Sequence, residues 1–246
     1  MHQLTITGTL LGPLLAGDPH TPRLVTYTGQ ARTELSTASL ANWSAKVAGL
    51  LVDELGLTAG ELVAVRLGAG WQTAPILLGC WWAGATVTTA DPDDPDDSVD
   101  SPAAAAFVAD GEDANADEVF VVSGHPLGAP ASTVLAHQRD FTTAVLGQAD
   151  QFSELGGVVD GGAAALSVGA TTLSVDAVVA LARASAERFG SGARVLSAAP
   201  WTMPDPLLPL LLGTLAADGS LVQLIGDDAP AADHVAATEK CTVRWG

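Results

Sequence analysis

LVAVRL at residues 62–67, GAG at 68–70, WQTAPILLGCWWA at 71–83 and ATVTT at 85–89 together form the stretch that decides the fold. The first run is short, rich in valine and followed by glycines, which predicts a buried strand. The run from 71 to 83 has no alternation, and its Pro75 lies in the first turn, where a missing N–H does no harm. It predicts a buried helix, and ATVTT predicts a second strand. A strand–helix–strand unit of this length indicates that the two strands are parallel.

The same alternation continues on both sides of this unit. Further strands are predicted at 23–28, 103–108, 118–122, 164–168, 194–198, 221–225 and 242–245. Further helices are predicted from Ser36 or Thr37 to Gly56, from Ser174 to Gly190, from an Asp205 cap with Pro206 to 218, and over 231–240. The first 23 residues hold several turn formers, so we predict an irregular leader with at most a short helix. The chain is therefore predicted to be one α/β domain over 1–246, a three-layer α/β/α fold with a mostly parallel sheet.

Composition narrows the classes of partner. The 246 residues carry a formal charge of −18 with only ten Lys plus Arg, which argues against nucleic acid or an anionic membrane surface as a partner. Cys80 and Cys241 are too few for a disulfide framework and are predicted to behave as small hydrophobes, as in a reducing cytosol. The beginning of the sequence lacks the pattern of a signal peptide, and no apolar run is long enough to span a bilayer. These features predict a cytoplasmic protein.

Two sets of residues are candidates for a ligand site. Gly68-Ala69-Gly70 follows a strand and opens a helix, and Asp91 ends the next strand, as in a dinucleotide-binding unit that lacks its third glycine. The six aspartates between 91 and 100 lack the spacing of a calcium loop and indicate a solvated acidic loop. Ser123 and His125 follow another strand, without the G-x-S-x-G pattern of a nucleophile. Together with Asp91 they define a candidate pocket at the carboxyl ends of the strands.

Several motifs resemble the adenylate-forming superfamily, which includes acyl-CoA synthetases, luciferases and peptide-synthetase adenylation domains. LGLTAGELVA at 55–64, Ala83-Gly84 and Asp91-Pro92 stand in the order of that family's early region. RVLSAAP at 194–200, DGSLV at 218–222 and EKCTV at 239–243 follow the order of its later strands. The resemblance runs from about Arg23 to the end of the sequence and is strongest to short actinobacterial relatives of these enzymes. It implies an α/β fold like the N-terminal part of an adenylate-forming enzyme.

The residues that the family uses for chemistry are missing. Its ATP loop is rich in Ser, Thr and Gly and carries a lysine, whereas the collinear segment here is Asp160-Gly-Gly-Ala-Ala-Ala165. Met203 stands near the position of the family's histidine, and the later motifs, including the lid with its catalytic lysine, do not occur. No catalytic residue, metal or cofactor is therefore predicted. We expect a non-catalytic binding or interaction module.

The sequence is also compatible with two other functions. One is a nucleotide- or dinucleotide-binding enzyme that uses Gly68 and Gly70, and the other is a small-molecule enzyme with its site at the strand ends near Asp91, Ser123 and His125. A fold that ends near 246 is also expected to leave the 242–245 strand as an uncovered edge. The leader, the loop at 123–130 or a second copy of the chain would have to cover that edge, and the broken leader favours a homodimer.

Overall fold

A computed structural model describes residues 2–89, 103–153 and 158–245, which form an α/β fold. The strands are β1 (His2–Leu4), β2 (Pro22–Thr28), β3 (Ala31–Ser36), β4 (Leu62–Arg66), β5 (Thr86–Thr88), β6 (Ala103–Ala109), β7 (Ala116–Val122), β8 (Gln138–Asp140), β9 (Val158–Asp160), β10 (Ala164–Val168), β11 (Thr171–Ser174), β12 (Arg194–Ser197), β13 (Ser220–Ile225) and β14 (Val243–Trp245). The helices are α1 (Ile6–Ala16), α2 (Thr37–Gly49), α3 (Thr73–Trp82), α4 (Phe141–Leu146), α5 (Val175–Phe189), α6 (Gly213–Ala216) and α7 (Ala232–Thr238). A π-helical segment, Leu50–Glu54, extends α2, and another, Leu208–Leu212, leads into α6.

Two mostly parallel sheets carry the fold. The seven-stranded sheet has the order β11-β10-β5-β4-β6-β7-β8, and only β11 runs antiparallel to its neighbour. The five-stranded sheet has the order β14-β12-β13-β2-β3, and only β3 is antiparallel. A two-stranded ribbon joins β1 and β9. The predicted α/β class and the parallel strands are confirmed, but the strands divide into two large sheets where one was predicted.

The chain passes between the sheets through helices. The helix α2 leads from β3 of the five-stranded sheet to β4 of the seven-stranded sheet, and α5 leads from β11 back to β12. One core cluster contains buried residues of both sheets together with residues of α1, α2, α3 and α5. On its other face the five-stranded sheet packs against α7, through Val25, Leu196, Val222 and Val235. Both sheets thus share one apolar core with α1, α2, α3 and α5, and α7 adds a second, smaller cluster on the outer face of the five-stranded sheet.

The segment that decides the fold has the predicted structure. The strands β4 and β5 are parallel neighbours, joined by α3, in which every residue is buried. The helix α2 begins after Ser36, whose hydroxyl accepts the Ser39 N–H, and Gly56 follows its π-helical end with a φ of +74°. The helix α5 also has the predicted Ser174 cap and stops at Gly190. These predictions are confirmed.

The leader is more regular than predicted, because an eleven-residue helix, α1, occupies nearly half of its 23 residues. Thr5 caps this helix by accepting the Gly8 N–H, and the Thr7 hydroxyl donates to the Leu78 carbonyl oxygen of α3 at 2.5 Å. A helical proline costs about 3 kcal/mol and a helical glycine about 1 kcal/mol. Burying the apolar side chains of α1, at roughly 1.5–3 kcal/mol each, outweighs those costs. The buried apolar residues of α1 are Ile6, Leu10, Leu11 and Leu14.

The leucine-rich helix begins later than predicted. Asp205 does not cap it, because residues 203–206 form turns and the backbone N–H groups of Leu207 and Leu208 donate to the carbonyl oxygens of Thr202 and Pro204. The structure also has shorter bounds for α7 than the predicted 231–240. The remaining predicted strands lie within two residues of the observed ones.

Candidate functional site

The predicted site residues lie at the carboxyl edge of the seven-stranded sheet. Gly68 follows β4 and Ser123 follows β7, and β6 lies between these two parallel strands. The two loops meet at the Trp71 side chain, whose indole N–H donates to the His125 carbonyl oxygen at 3.1 Å. Asp91 lies outside the described residues. The structure therefore brings Gly68–Gly70 and Ser123–His125 to one place but leaves the predicted three-residue pocket untested.

The backbone conformation and the surroundings of the Gly68-Ala69-Gly70 turn do not require glycine at Gly68 or Gly70. Neither Gly68 nor Gly70 has a φ in the left-handed region, and a Cβ at Gly68 would meet no atom within 4 Å. The Gly68 carbonyl oxygen accepts the Thr73 hydroxyl at 2.8 Å, which ties the turn to the start of α3. In dinucleotide-binding turns the glycines allow close approach of the pyrophosphate to the backbone. Phosphate binding by Gly68 and Gly70 stays a prediction. The observed geometry of the turn is that of an ordinary connection from a strand to a helix.

Ser123 and His125 use their polar groups within their own loop. The Ser123 hydroxyl donates to the Ala129 carbonyl oxygen at 2.6 Å and accepts the His125 backbone N–H at 3.2 Å. The His125 ring accepts the Leu127 N–H through Nδ1 at 3.1 Å. A nucleophile and its base must share a hydrogen bond between side chains, and these two side chains do not. In this conformation the pair stabilises a turn.

The segment that stands in place of an ATP loop is a closed turn. The N–H of Gly162 donates to the Asp160 carboxylate at 3.1 Å, and the N–H of Ala163 donates to the Asp160 carbonyl oxygen at 3.0 Å. The Asp176 N–H donates to the Gly161 carbonyl oxygen at 2.9 Å. A Cβ on Gly161 would lie 2.5 Å from the Asp176 carboxylate, so glycine is needed here for close packing. Two carboxylates and occupied backbone donors do not fit a polyphosphate.

A cleft that sequence reasoning missed lies at the carboxyl edge of the five-stranded sheet. It has a volume of about 390 Å³, and its lining comes from the ends of β12, β13 and β14 and the start of α7: Leu196, Ser197, Ala198, Ala199, Leu224, Ala232, Arg244 and Trp245. Ligands of parallel α/β sheets typically bind at such strand ends. The RVLSAAP motif marked this strand end but indicated no ligand-binding side chain. We refer to this cavity as the carboxyl-edge cleft.

Hydrogen bonds fix the wall of the carboxyl-edge cleft. The Trp201 indole N–H donates to the Gln223 side-chain oxygen at 2.9 Å, and the Gln223 amide donates to the Ala199 carbonyl oxygen at 3.0 Å. The Ser197 hydroxyl oxygen accepts the Ala199 N–H, which leaves its hydrogen for another acceptor. Arg244 forms an ion pair with Asp233 at 2.6 Å on the exposed rim. The cleft therefore has a rigid, mostly apolar wall with one cation at its mouth.

Behind this sheet lies a buried charge cluster that the sequence did not reveal. The Glu239 carboxylate, 7% exposed, accepts hydrogen bonds from the Tyr27 hydroxyl at 2.7 Å, from Arg32 at 2.6 Å and from Arg194. The hydrogen bond from Arg32 is the main reason that the pKa of Glu239 falls to about 2. Burial raises the pKa of Tyr27. The cluster joins β2, β3 and β12 to the end of α7 and supports the sheet rather than a ligand.

Two further features bear on chemistry. Within residues 2–89, 103–153 and 158–245, no three His, Cys, Asp or Glu side chains come close enough to hold a metal ion. Among the same residues, no helix has the length and hydropathy required to cross a membrane.

Comparison with known proteins places these observations in a family. No family model matches the chain. A protein of Mycobacterium tuberculosis strain H37Rv, described as a TIGR03089 family protein, is 39% identical over an alignment of 247 residues that covers 97% of each chain. An acyl-CoA synthetase of Brucella canis has a TM-score of 0.76 at 17% identity over 97% of this chain and 46% of its own. The anthranilate CoA ligase AuaEII, solved with anthranoyl-AMP, has a TM-score of 0.77 at 13% identity over 99% of this chain and 50% of its own.

This chain thus spans about half the length of the two enzymes of known structure, and at such identities they share its fold alone. The resemblance found in the sequence motifs is confirmed. The chain belongs to the TIGR03089 family, and its fold is that of the N-terminal region of the adenylate-forming acyl-CoA synthetases.

Proposed function

We propose that this protein is a non-catalytic binding module built on the adenylate-forming fold. The observation that carries the proposal is the closed turn at 160–165. Its backbone N–H groups at Gly162 and Ala163 already donate to Asp160, and the Asp176 carboxylate packs against Gly161. Adenylation requires several donors and cations held in register around the phosphates. This turn offers carboxylates in that place.

The cations of the chain do not compensate for this turn. Its two lysines are Lys46 and Lys240. Lys46 donates to the Gln148 carbonyl oxygen at 2.5 Å and forms an ion pair with Asp150 at 3.0 Å. An arginine does not occur between Arg139 and Arg183. The formal charge of −18 also disfavours a nucleotide polyphosphate unless a local site overcomes it.

Two assays test the absence of adenylation. Calorimetric titration with ATP and Mg²⁺ should show no saturable heat, and ATP–pyrophosphate exchange with a panel of carboxylic acids should stay at background. A full-length acyl-CoA synthetase serves as the positive control. The double variant Asp160→Asn, Asp176→Asn tests whether the negative charge of the turn is the reason. It removes both carboxylates but adds no loop of hydrogen-bond donors for a phosphate. Exchange above background in the unmodified protein would contradict the proposal.

The carboxyl-edge cleft favours a second candidate, a site for a small molecule at the strand ends. Its volume of about 390 Å³ falls within the range of small-molecule sites. Ser197 and Arg244 supply polar groups to an otherwise apolar wall. An NMR fragment screen should shift the indole signal of Trp245, and the filling variant Ala199→Trp should abolish those shifts. Fragments that bind equally well to the filled variant would exclude this cleft.

Action in the cytoplasm is part of the proposal. Cys80 and Cys241 are both free thiols, and Cys80 is buried, so the described chain has no disulfide to need an oxidising compartment. Burial raises the pKa of both thiols, which keeps them protonated and unreactive. Fractionation of cells that express the tagged full chain would test the location.

A further inference from the structure

A second cleft lies at the opposite, amino-terminal edge of the five-stranded sheet. It has a volume of about 560 Å³ between α1, the segment before β2, the middle of α5 and the end of α6. The strands β2, β12 and β13 begin beside it: Arg23 is the second residue of β2, Gly192 lies just before β12 and Ser220 is the first residue of β13. We refer to it as the amino-edge cleft. Its apolar wall consists of Leu10, Pro13, Leu14, Leu215 and Ala216.

Three of the charged side chains in this cleft already have partners inside the protein. Arg23, 3% exposed, forms an ion pair with the Asp218 carboxylate at 2.7 Å and donates to the carbonyl oxygens of Asp218 and Gly219. The Asp18 carboxylate accepts the His20 N–H at 2.9 Å and the Thr21 hydroxyl at 3.0 Å. Those interactions build the cleft and leave few of its polar groups for a ligand.

Arg183 is the exception. It is exposed on α5, lines the cleft, and forms no hydrogen bond or ion pair with any part of the chain that the structure describes. The carboxylates of Asp18 and Asp218 line the same cleft, yet neither pairs with Arg183. Although the protein has 28 acidic and ten basic side chains, no described acidic side chain pairs with the Arg183 guanidinium. Its five donors in a planar fork match a carboxylate in a bidentate manner.

We propose that the amino-edge cleft binds a small amphipathic carboxylate, with its carboxylate on Arg183 and its apolar body against Leu10, Leu14 and Leu215. The volume of about 560 Å³ suits a ligand of that size. In this arrangement the ligand carboxylate accepts hydrogen bonds from the Arg183 guanidinium, and the apolar body of the ligand displaces water from the apolar wall.

The local charge sets the strength of this site. The cleft contains two acids and two arginines, so its formal charges balance. Asp218 is neutralised by Arg23, and the exposed Asp18 is screened by water and by its own hydrogen bonds. The C-terminal end of α1 also directs carbonyl groups toward this region and opposes an anion. Affinity is therefore expected in the millimolar to high micromolar range and to weaken with salt.

Methyl NMR titration of the full chain with octanoate tests the proposal. Octanoate should shift the methyl signals of Leu215 and Ala216 in a saturable way, whereas octanamide, which lacks the charge, and octylamine, which reverses it, should not. Arg183→Gln should weaken octanoate at least about tenfold, because it removes a charge-assisted bidentate contact. Arg183→Lys, which keeps the charge without the fork, should lie in between.

Arg188→Gln is the matched control. Arg188 lies on the same helix and its loss changes the net charge equally, but it stacks on Trp245, 5.5 Å from the ring centre, and does not line the cleft. Octanoate binding should be unchanged in this variant, and thermal unfolding should show that both variants are folded. No shift at Leu215 and Ala216 at millimolar octanoate would overturn the proposal. Equal effects of the two variants, or tighter binding of octylamine, would overturn it as well.

Discussion

Replacing Glu239 by glutamine is the sharpest test of what holds the five-stranded sheet together. Its carboxylate lies at the end of α7 and accepts hydrogen bonds from Tyr27 of β2, Arg32 of β3 and Arg194 of β12. The pKa of Glu239 falls from 4.5 to about 2, first because Arg32 donates to it, while burial acts in the opposite direction. That lowering corresponds to roughly 3 kcal/mol in favour of the ionised, folded state.

The pH dependence follows from the direction of the shift. A carboxyl whose pKa is lower in the folded than in the unfolded protein contributes fully above the unfolded value and loses its contribution as the pH falls through the folded value. The contribution of Glu239 should thus be complete above pH 4.5 and disappear toward about pH 2. At neutral pH, Glu239→Gln should lower the free energy of unfolding by about 3 kcal/mol, because two guanidinium groups then face a neutral amide.

Urea denaturation at a series of pH values measures this effect. The difference between the unmodified protein and Glu239→Gln should be largest at neutral pH and shrink in acid. Glu34→Gln is the matched control, because Glu34 pairs with the same Arg32 at 2.5 Å but is 37% exposed. It should change the free energy of unfolding by less than about 1 kcal/mol. Equal losses in the two variants, or a Glu239→Gln loss that does not vary with pH, would refute the reasoning.

Three further expectations concern packing, the glycine turn and association. Gly219→Ala should lower the free energy of unfolding by about 1–3 kcal/mol, because its Cβ would collide with the Ala193 carbonyl oxygen. Gly70→Ala should raise the free energy of unfolding by about 0.4–1 kcal/mol, because its Cβ would meet only the Thr73 hydroxyl at 3.5 Å. The variant should leave calorimetric titrations with NAD unchanged. Saturable NAD binding that the variant loses would restore the dinucleotide hypothesis. We also expect a homodimer through the β14 edge, because α1 is buried in the core and the 123–130 loop contacts Trp71 and Thr33 rather than β14. Sedimentation equilibrium measures it, and a monomer mass at high concentration would contradict it.

Local signals in the sequence predicted most of the elements, although not, for example, β3, β8, β11 or α4, and packing decided much of what they did not predict. The strand–helix–strand unit at 62–89 follows from apolar runs and turn residues alone, and the Ser36 and Ser174 caps mark their helices by hydroxyl chemistry. The length of α1 was underestimated because Gly12 and Pro13 weaken its local helix preference, and its burial against α3 overrides them. Local propensity contains no such long-range term.

The division into two sheets lay beyond the sequence for a related reason. The helices α2 and α5 carry the chain from one sheet to the other, yet their apolar stripes and caps are those of any crossover within a single sheet. The Glu239 cluster joins positions as distant in sequence as Tyr27 and Arg194, and no spacing rule indicates it. Likewise, the absence of a partner for Arg183 among the described residues depends on where Asp18 and Asp218 find their partners.

The loops that hold Ser123 and the turn at 160–165 use most of their described polar groups within the protein, and this directs the search for a ligand elsewhere. At the carboxyl edge of the seven-stranded sheet, Trp71 ties the loops after β4 and β7 together, and Ser123 bonds to its own loop. In the turn at 160–165, the Gly162 and Ala163 N–H groups likewise donate to Asp160. The five-stranded sheet instead has a cleft at each edge, and Arg183 and Ser197 there retain donors for an outside acceptor. Binding requires polar groups that folding has left unsatisfied, so a ligand of this protein should be sought at these two clefts and beside the buried Gln72, whose side-chain amide has no partner among the described residues.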